Sequence, residues 1–292
     1  INHKLITGKK TYINTSASVS ADYFEYDVKY YDFDLNLYDL RHVENMNYNF
    51  RFTSVLNHKF NPKHTNRSGF IISRYSYDSN LLFAPFPGAE MINLVDDKGH
   101  TMQYNFFSQS KMNFSERFMM NVGFHGHYFH FNNEFNFEPR AGLTYTLSDR
   151  QTLSLAYGKH SRLEPLNIYL SNINSGEGNQ LLNKDLKITK SHHIVFAYDF
   201  SINPDLRFKI EPYFQYLYDV PVIADSSFSV LNIHQDWFIK EQLTNEGTGR
   251  NYGIDLTFER FLNDGYYWLF TTSLFNSNYV GGDGVERNTR FN

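Results

Sequence analysis

Apolar and polar residues alternate one for one along most of this chain, and helical spacing is hard to find. Over 206–218 the alternation puts Leu206, Phe208, Ile210, Pro212, Phe214, Tyr216 and Tyr218 on one face. Arg207, Lys209, Glu211, Tyr213 and Gln215 fall on the other. The same period-2 pattern runs through Leu153, Leu155 and Tyr157, through His192, Ile194, Phe196, Tyr198 and Phe200, and through Tyr252, Ile254, Leu256 and Phe258. Successive side chains of a strand point to opposite faces, so each run predicts a strand with one greasy and one polar side. The runs are about 10–14 residues long. That suits tilted strands crossing a bilayer, which need ~9–11 residues, better than the ~5–6-residue strands of a soluble sandwich.

The breaks between runs alternate in length. Asn61–Arg67, Ser115–Arg117, Ser148–Arg150, Ser201–Asp205 and Leu262–Gly265 are short and rich in turn residues. Long polar stretches lie at roughly 83–100, 162–186 and 220–248, with a shorter one near 132–135. Phe60, Phe114, Phe118, Phe200, Phe208, Phe261, Tyr266, Tyr267 and Trp268 crowd the short turns. An aromatic girdle beside short turns, with long loops at the opposite end, is the layout of an outer-membrane barrel. The predicted fold is all-β: part of an antiparallel transmembrane β-barrel of about ten to twelve strands, forming one domain over 1–292. Residues 9–40 give the weakest strand pattern.

Composition changes this picture little, but it excludes several functions. Aromatic residues make up 18% of the 292 residues, and 27 basic residues face 31 acidic ones for a net charge of −4. A nucleic-acid partner needs a clustered positive field, which this balance does not offer. Cys is absent, which removes disulfide frameworks, zinc–thiolate sites and Cys nucleophiles together. No run of ~18 apolar residues occurs, so a transmembrane helix is excluded. The mean hydropathy of −0.50 is compatible with a barrel wall, whose strands alternate. Ile1-Asn2-His3-Lys4 has neither the basic nor the apolar region of a signal peptide. Both ends, Ile1 and Asn288–Asn292, are expected to lie in loops of a larger wall. An open barrel would leave backbone groups unpaired in lipid.

No hydrolase elbow, zincin, P-loop or dinucleotide fingerprint occurs in the sequence, so neither catalytic nor cofactor-binding residues are assigned. Gly281-Gly-Asp-Gly284 reads as a loop between strands. Asp32, Asp34 and Asn36 imitate the start of a calcium loop. Position six is Leu37 and position twelve is Val43, where the loop needs Gly and Glu. A strand over Asp32–Leu37 with a polar lumenal face accounts for them instead. His125 and His127 share a strand face and are weak metal candidates, since two imidazoles need a third ligand from another strand. Polar filling of a lumen is the simpler account of both. His192 and His193 point to opposite faces and cannot chelate together. Tyr169, Arg162, Glu164, Phe228, His234, Trp237 and Phe238 sit in the long stretches. They suit ligand contact or, more simply, loops packed on one another. Ligand-binding residues stay unassigned.

Three stretches carry a family resemblance. Glu138–Leu166 (EPRAGLTYTLSDRQTLSLAYGKHSRLEPL) resembles a hairpin of Bacteroidetes-type TonB-dependent receptor barrels. Leu181–Tyr198 and Asn245–Glu259 (NEGTGRNYGIDLTFE) are similar to the segments that follow it. The match is good over roughly 135–292 and rests on strand pattern alone over 40–134. The resemblance implies a barrel of about 22 strands with a plugged lumen, taking a scarce ligand such as a siderophore, cobalamin, glycan or peptide across the outer membrane of a Gram-negative cell. It implies as partners the energy-transducing TonB complex, reached through a plug domain that is not in this sequence, a small extracellular ligand and membrane lipid. A surface lipoprotein caps the barrel in some relatives. The alternatives are a complete small outer-membrane barrel (porin, adhesin or rim-active hydrolase) and a soluble aromatic-rich carbohydrate-binding β domain.

Overall fold

The computed structural model describes residues 1–174, 179–233, 239 and 241–292. Thirteen strands join edge to edge in one antiparallel sheet. These are β1 (Asn2–Gly8), β2 (Thr11–Tyr31), β3 (Leu37–Asn61), β4 (His64–Phe83), β5 (Ile92–Asn113), β6 (Phe118–Phe129), β7 (Glu134–Ser148) and β8 (Gln151–Arg162), followed by β11 (Thr189–Asn203), β12 (Leu206–Ile223), β13 (Leu243–Asn263), β14 (Tyr266–Val280) and β15 (Glu286–Asn288). Between β8 and β11 lie the one-turn helix α1 (Leu166–Tyr169) and a separate two-stranded ribbon, β9 (Asn172–Asn174) with β10 (Asn179–Leu181). Each main strand pairs with its neighbour in chain order, and among the described residues β1 and β15 do not meet, so the sheet is open. No described helix is long and apolar enough to cross a membrane.

The alternation of connections holds throughout. Tight turns fall at 9–10, 62–63, 114–117, 149–150, 204–205 and 264–265. The other end carries 32–36, 84–91, 130–133, 163–188, 224–242 and 281–285. Side-chain oxygens close the turns locally: Asn61 Oδ1 accepts from Lys63 N, Ser115 Oγ from Phe118 N, and Asn203 Oδ1 from Asp205 N. Asp264 adopts a positive φ of 53° and Gly265 one of 84°, the left-handed pair that a two-residue hairpin turn requires.

Three details differ from the pattern-based expectation. The strand count is thirteen where ten to twelve were expected, with the short edge strands Asn2–Gly8 and Glu286–Asn288 included in the sheet. Strands β2 to β5 have 20 to 25 residues, so β3 extends over roughly 80 Å, far beyond the bilayer core. At the loop end the inner face is covered by packed loops and the 96–98 run is polar throughout, so the hydrophobic alternation is interrupted, yet the backbone ladder continues. Asp96 and Asp97 still pair with Asn80 and Ser79, although 83–100 reads as a loop. Finally, Asp32–Asn36 is a turn and no strand. Asp32 Oδ1 accepts from the backbone N–H groups of Asp34 and Asn36 at 2.9 and 2.8 Å, and Leu35 sits at φ 64°. This leaves Phe33 and Leu35 exposed at the hairpin tip.

The outer face is a belt of apolar side chains in register. One row runs Phe118, Tyr145, Leu153, Tyr198, Ile210, Leu256 across six strands. Near the turns Phe114 stacks on Phe118 at 5.6 Å, and Phe258 meets Trp268 edge-on at 4.9 Å. The Phe106 ring lies over Gly126, where an added Cβ would fall 2.0 Å from its Cζ. Gly126→Val should therefore lower stability by about 1–3 kcal/mol through overpacking. In urea titrations of the folded protein, Phe106→Leu should restore most of the loss; if it restores none, the ring contact is not the cause.

Candidate functional site

The opposite face is polar, and its side chains are bonded into rows that cross the sheet. Gln215 Nε2 donates to His193 Nε2 at 2.5 Å, Asn251 Nδ2 to Gln215 Oε1 at 2.7 Å, Ser277 Oγ to Asn251 Oδ1 at 2.6 Å and Thr289 Oγ1 to Ser277 Oγ at 2.8 Å. Nearer the turns Arg207 is hydrogen-bonded to Asp199 and lies 3.6 Å from Glu259, while Lys209 pairs with Glu211 at 2.7 Å. Phe208, one residue from Arg207, is flanked on the other face by Phe200 and Phe258. The faces therefore separate as the alternation over 206–218 predicts. The inner wall offers hydrogen bonds and balanced charge.

At mid-height β6, β7 and β8 surround an enclosed carboxylate of this wall. The Glu138 side chain is 3% exposed. Its Oε2 accepts from His125 Nδ1 at 3.0 Å and Arg140 Nη2 at 2.7 Å; its Oε1 accepts from Asn136 Nδ2 at 3.4 Å and from the Ser161 hydroxyl. An ionised carboxylate out of water survives only with such donors. Beside the cluster a depression of 590 Å³ is lined by His125, Arg140, His160 and His193, with Gly123, Gly142 and Gly158 in its floor.

The metal candidates His125 and His127 do lie on one face, with ring centroids 6.4 Å apart. Their neighbours differ. His125 bonds Glu138, and His127 Nε2 accepts from Gln103 Nε2 at 2.9 Å. Among the described residues no group of three His, Cys, Asp or Glu is placed to hold a metal ion. His192 and His193 are on opposite faces: His192 stacks on Tyr218 at 5.3 Å, and His193 meets His160 at 4.7 Å. Sequence reasoning passed over Glu138 and Arg140 as a site. Their i, i+2 spacing places them on one face, but joining them to His125 requires the β6–β7 register, which sets His125 opposite Glu138 across the 130–133 turn.

At the loop end, the long connections pack against one another. Ile168 and Tyr169 of α1 sit in a core with Leu186, Val220, Val230, Ile239 and Leu243, and Leu170 enters a second core with Val43, Tyr77, Leu81, Leu94 and Val95. The 163–170 segment thus reaches from the β8 end across the inner face to β3–β5. Burial pushes the Tyr169 phenol well above its usual range. Glu164 is buried between Arg162 Nη2 at 3.2 Å and Thr189 Oγ1 at 2.6 Å. Phe228 packs on the first core. Of the residues singled out by sequence, Tyr169 and Phe228 pack between loops, Glu164 is buried with Arg162, at the end of β8, as a largely exposed partner, and His234, Trp237 and Phe238 lie outside the described residues.

An open, girdled sheet with a bonded inner face and packed outer loops narrows the kinship to large barrels, and sequence comparison decides which. The family profile described as "TonB dependent receptor-like, beta-barrel" matches residues 3–291. The chain belongs to the TonB-dependent receptor barrels. Comparison with curated proteins gives no significant match. Among solved structures, this receptor barrel resembles the siderophore receptor PiuA from Acinetobacter baumannii (TM-score 0.69, 11% identity, 98% of this chain and 48% of that one). It also resembles the ferric-catecholate import receptor Fiu from E. coli K12 (0.68, 11%, 97% and 48%) and the RagAB peptide importer (0.64, 14%, 95% and 35%). The receptor barrel thus spans about a third to a half of the length of these chains. Receptor barrels of this family are proteins of the Gram-negative outer membrane, which agrees with the exposed apolar belt.

Proposed function

We propose that this chain is part of the wall of a plugged outer-membrane receptor that imports a scarce ligand with energy supplied through TonB. The observation that carries the reading is the two-faced open sheet, with an apolar belt outside and a bonded polar wall inside. β1 and β15 offer the edges through which further strands close a larger barrel. The wall acts by shape and hydrogen bonding, as a transport surface without catalytic machinery. The hairpin motifs at 138–166, 181–198 and 245–259 favour a Bacteroidetes source, and a surface lipoprotein over the packed loops is part of the same reading. The ligands of the similar structures, siderophores and peptides, mark the range of substrates.

The complete gene tests this reading. A plug domain encoded upstream, further strands downstream, and loss of ligand-dependent growth when either this gene or tonB is deleted are the expected results. Growth is scored with a ferric siderophore, cobalamin, a glycan or a peptide mixture as the limiting nutrient. Start and stop codons tight against this segment, with growth unchanged on all four, would overturn it in favour of a small self-contained barrel.

A further inference from the structure

A second cavity, of 370 Å³, opens on the inner face of β2–β4 toward the loop end, with Pro165, Leu166 and Asn167 on its loop side. β3 contributes Asn45, Asn47 and Asn49. Register places Phe24 opposite Asn45 and Asp22 opposite Asn47, with Ser79 and Tyr75 facing Asn45 and Asn49 from β4. The lining contains no Lys, Arg or His, and its one charge is Asp22. Ser79 Oγ donates to Asn45 Oδ1 at 2.5 Å, which orients that amide. The Asn49 Oδ1 atom is buried and accepts no hydrogen bond in the structure, a state that is costly unless a donor arrives from elsewhere. Phe24 and Tyr26 stack at 6.2 Å beside the amides.

The three amides occupy alternate positions of one strand, so they recur at about 6.8 Å, twice the antiparallel rise per residue. That interval is also the two-residue repeat of any extended polypeptide. A primary amide carries an acceptor and a donor side by side and can bond both groups of a peptide unit. A row of them in this register meets every second unit of a chain lying alongside. Phe24 and Tyr26 offer an apolar surface to one ligand side chain. Asp22 disfavours an anion, and the cation two positions beyond Asn49 on this face, Arg51, lies outside the lining and donates to Ser73 Oγ. A negatively charged ferric chelate is thereby a poor fit, and a linear glucan has no amide groups to match the row.

We propose that this cavity is a peptide subsite, which holds an extended peptide free of acidic side chains along β3 by backbone hydrogen bonds to Asn45, Asn47 and Asn49. The proposal rests on the import-receptor reading and names the substrate class of the same wall.

The test uses the purified full-length receptor and titration calorimetry with four probes: the pentapeptides Ala-Ala-Lys-Ala-Ala and Ala-Ala-Glu-Ala-Ala, maltopentaose and a ferric tris-catecholate. The lysine peptide should bind, and the glutamate peptide should bind at least about tenfold more weakly. Asn47→Leu, Asn49→Leu and the milder Asn47→Ser should each weaken the lysine peptide by about tenfold. Asn57→Leu, on the same face near the turns, should change it less than about twofold. Migration of unheated samples verifies that each variant is folded. Peptide binding that ignores the Asn47 and Asn49 variants overturns the proposal, and so does an absence of peptide binding. Binding of the glycan or the chelate that those variants abolish overturns the peptide class. Uptake assays in cells separate the two levels. TonB-dependent uptake of another ligand, untouched by the Asn variants, removes the subsite and keeps the receptor; peptide binding without any TonB-dependent uptake removes the receptor reading.

Discussion

Ile210→Arg is expected to deplete the folded receptor from the outer membrane, while Lys209→Arg, one residue away, leaves its level unchanged. Ile210 stands between Tyr198 and Leu256 in the outer row of the sheet, where a charge within the hydrocarbon costs about 2–4 kcal/mol. Lys209 points the other way and already pairs with Glu211 at 2.7 Å. A longer cation there meets the same wet wall. The two variants change neighbouring residues to the same side chain, so translation, export and chaperone load are matched as closely as substitutions allow. The readout is the fraction of full-length receptor that migrates as a folded band before heating. Equal folded fractions for both variants would mean that the outer row does not face lipid.

That contrast was legible from alternation alone, because a period-2 pattern specifies a face wherever one side is apolar. The same rule explains where reading failed. In the upper parts of β4 and β5 the inner face is apolar, with Tyr77, Leu81 and Val95 in the second core, but Asp96, Asp97 and Lys98 follow one another as a polar run and carry no periodic trace of the ladder that holds them. At Asp32–Asn36 the polar residues do alternate with Phe33 and Leu35, yet the Asp32 carboxylate captures two backbone N–H groups and turns the chain. Local side-chain bonding of this kind competes directly with strand pairing. The loop packing was expected in kind, but its partners were not. Leu170 meets Val43 and Val95, which stand more than seventy positions away in sequence, and nothing in a single sequence encodes such a pairing.

The inner wall and the loop cores divide the work of holding the site. Apolar burial is concentrated at the loop end, in the two cores that α1 joins. In the wall below them, order comes from side-chain hydrogen bonds across strands whose outer faces are exposed. Because those bonds are all polar, their net worth depends on leaving no member unsatisfied, and the wall should respond most sharply to changes that strand a charge.

Arg140→Leu is that case. Glu138 is enclosed at 3% exposure, whereas Arg140 is 49% exposed. Losing the arginine strands a carboxylate that cannot reach water, while losing the glutamate frees a guanidinium that can. Breaking a buried pair costs about 3–5 kcal/mol. His125 and Ser161 still bond Glu138, so the loss from Arg140→Leu should fall near the lower end. Glu138→Gln keeps an acceptor for Ser161 and His125 and removes the charge. Glu138→Gln combined with Arg140→Leu should then be more stable than Arg140→Leu alone, an inversion that loss of packing cannot produce. Urea midpoints of the folded full-length receptor in micelles, compared at constant slope, measure it at neutral pH. If the double variant is no more stable than Arg140→Leu, the carboxylate is not carrying a buried charge and the Glu138 cluster holds the wall by shape alone.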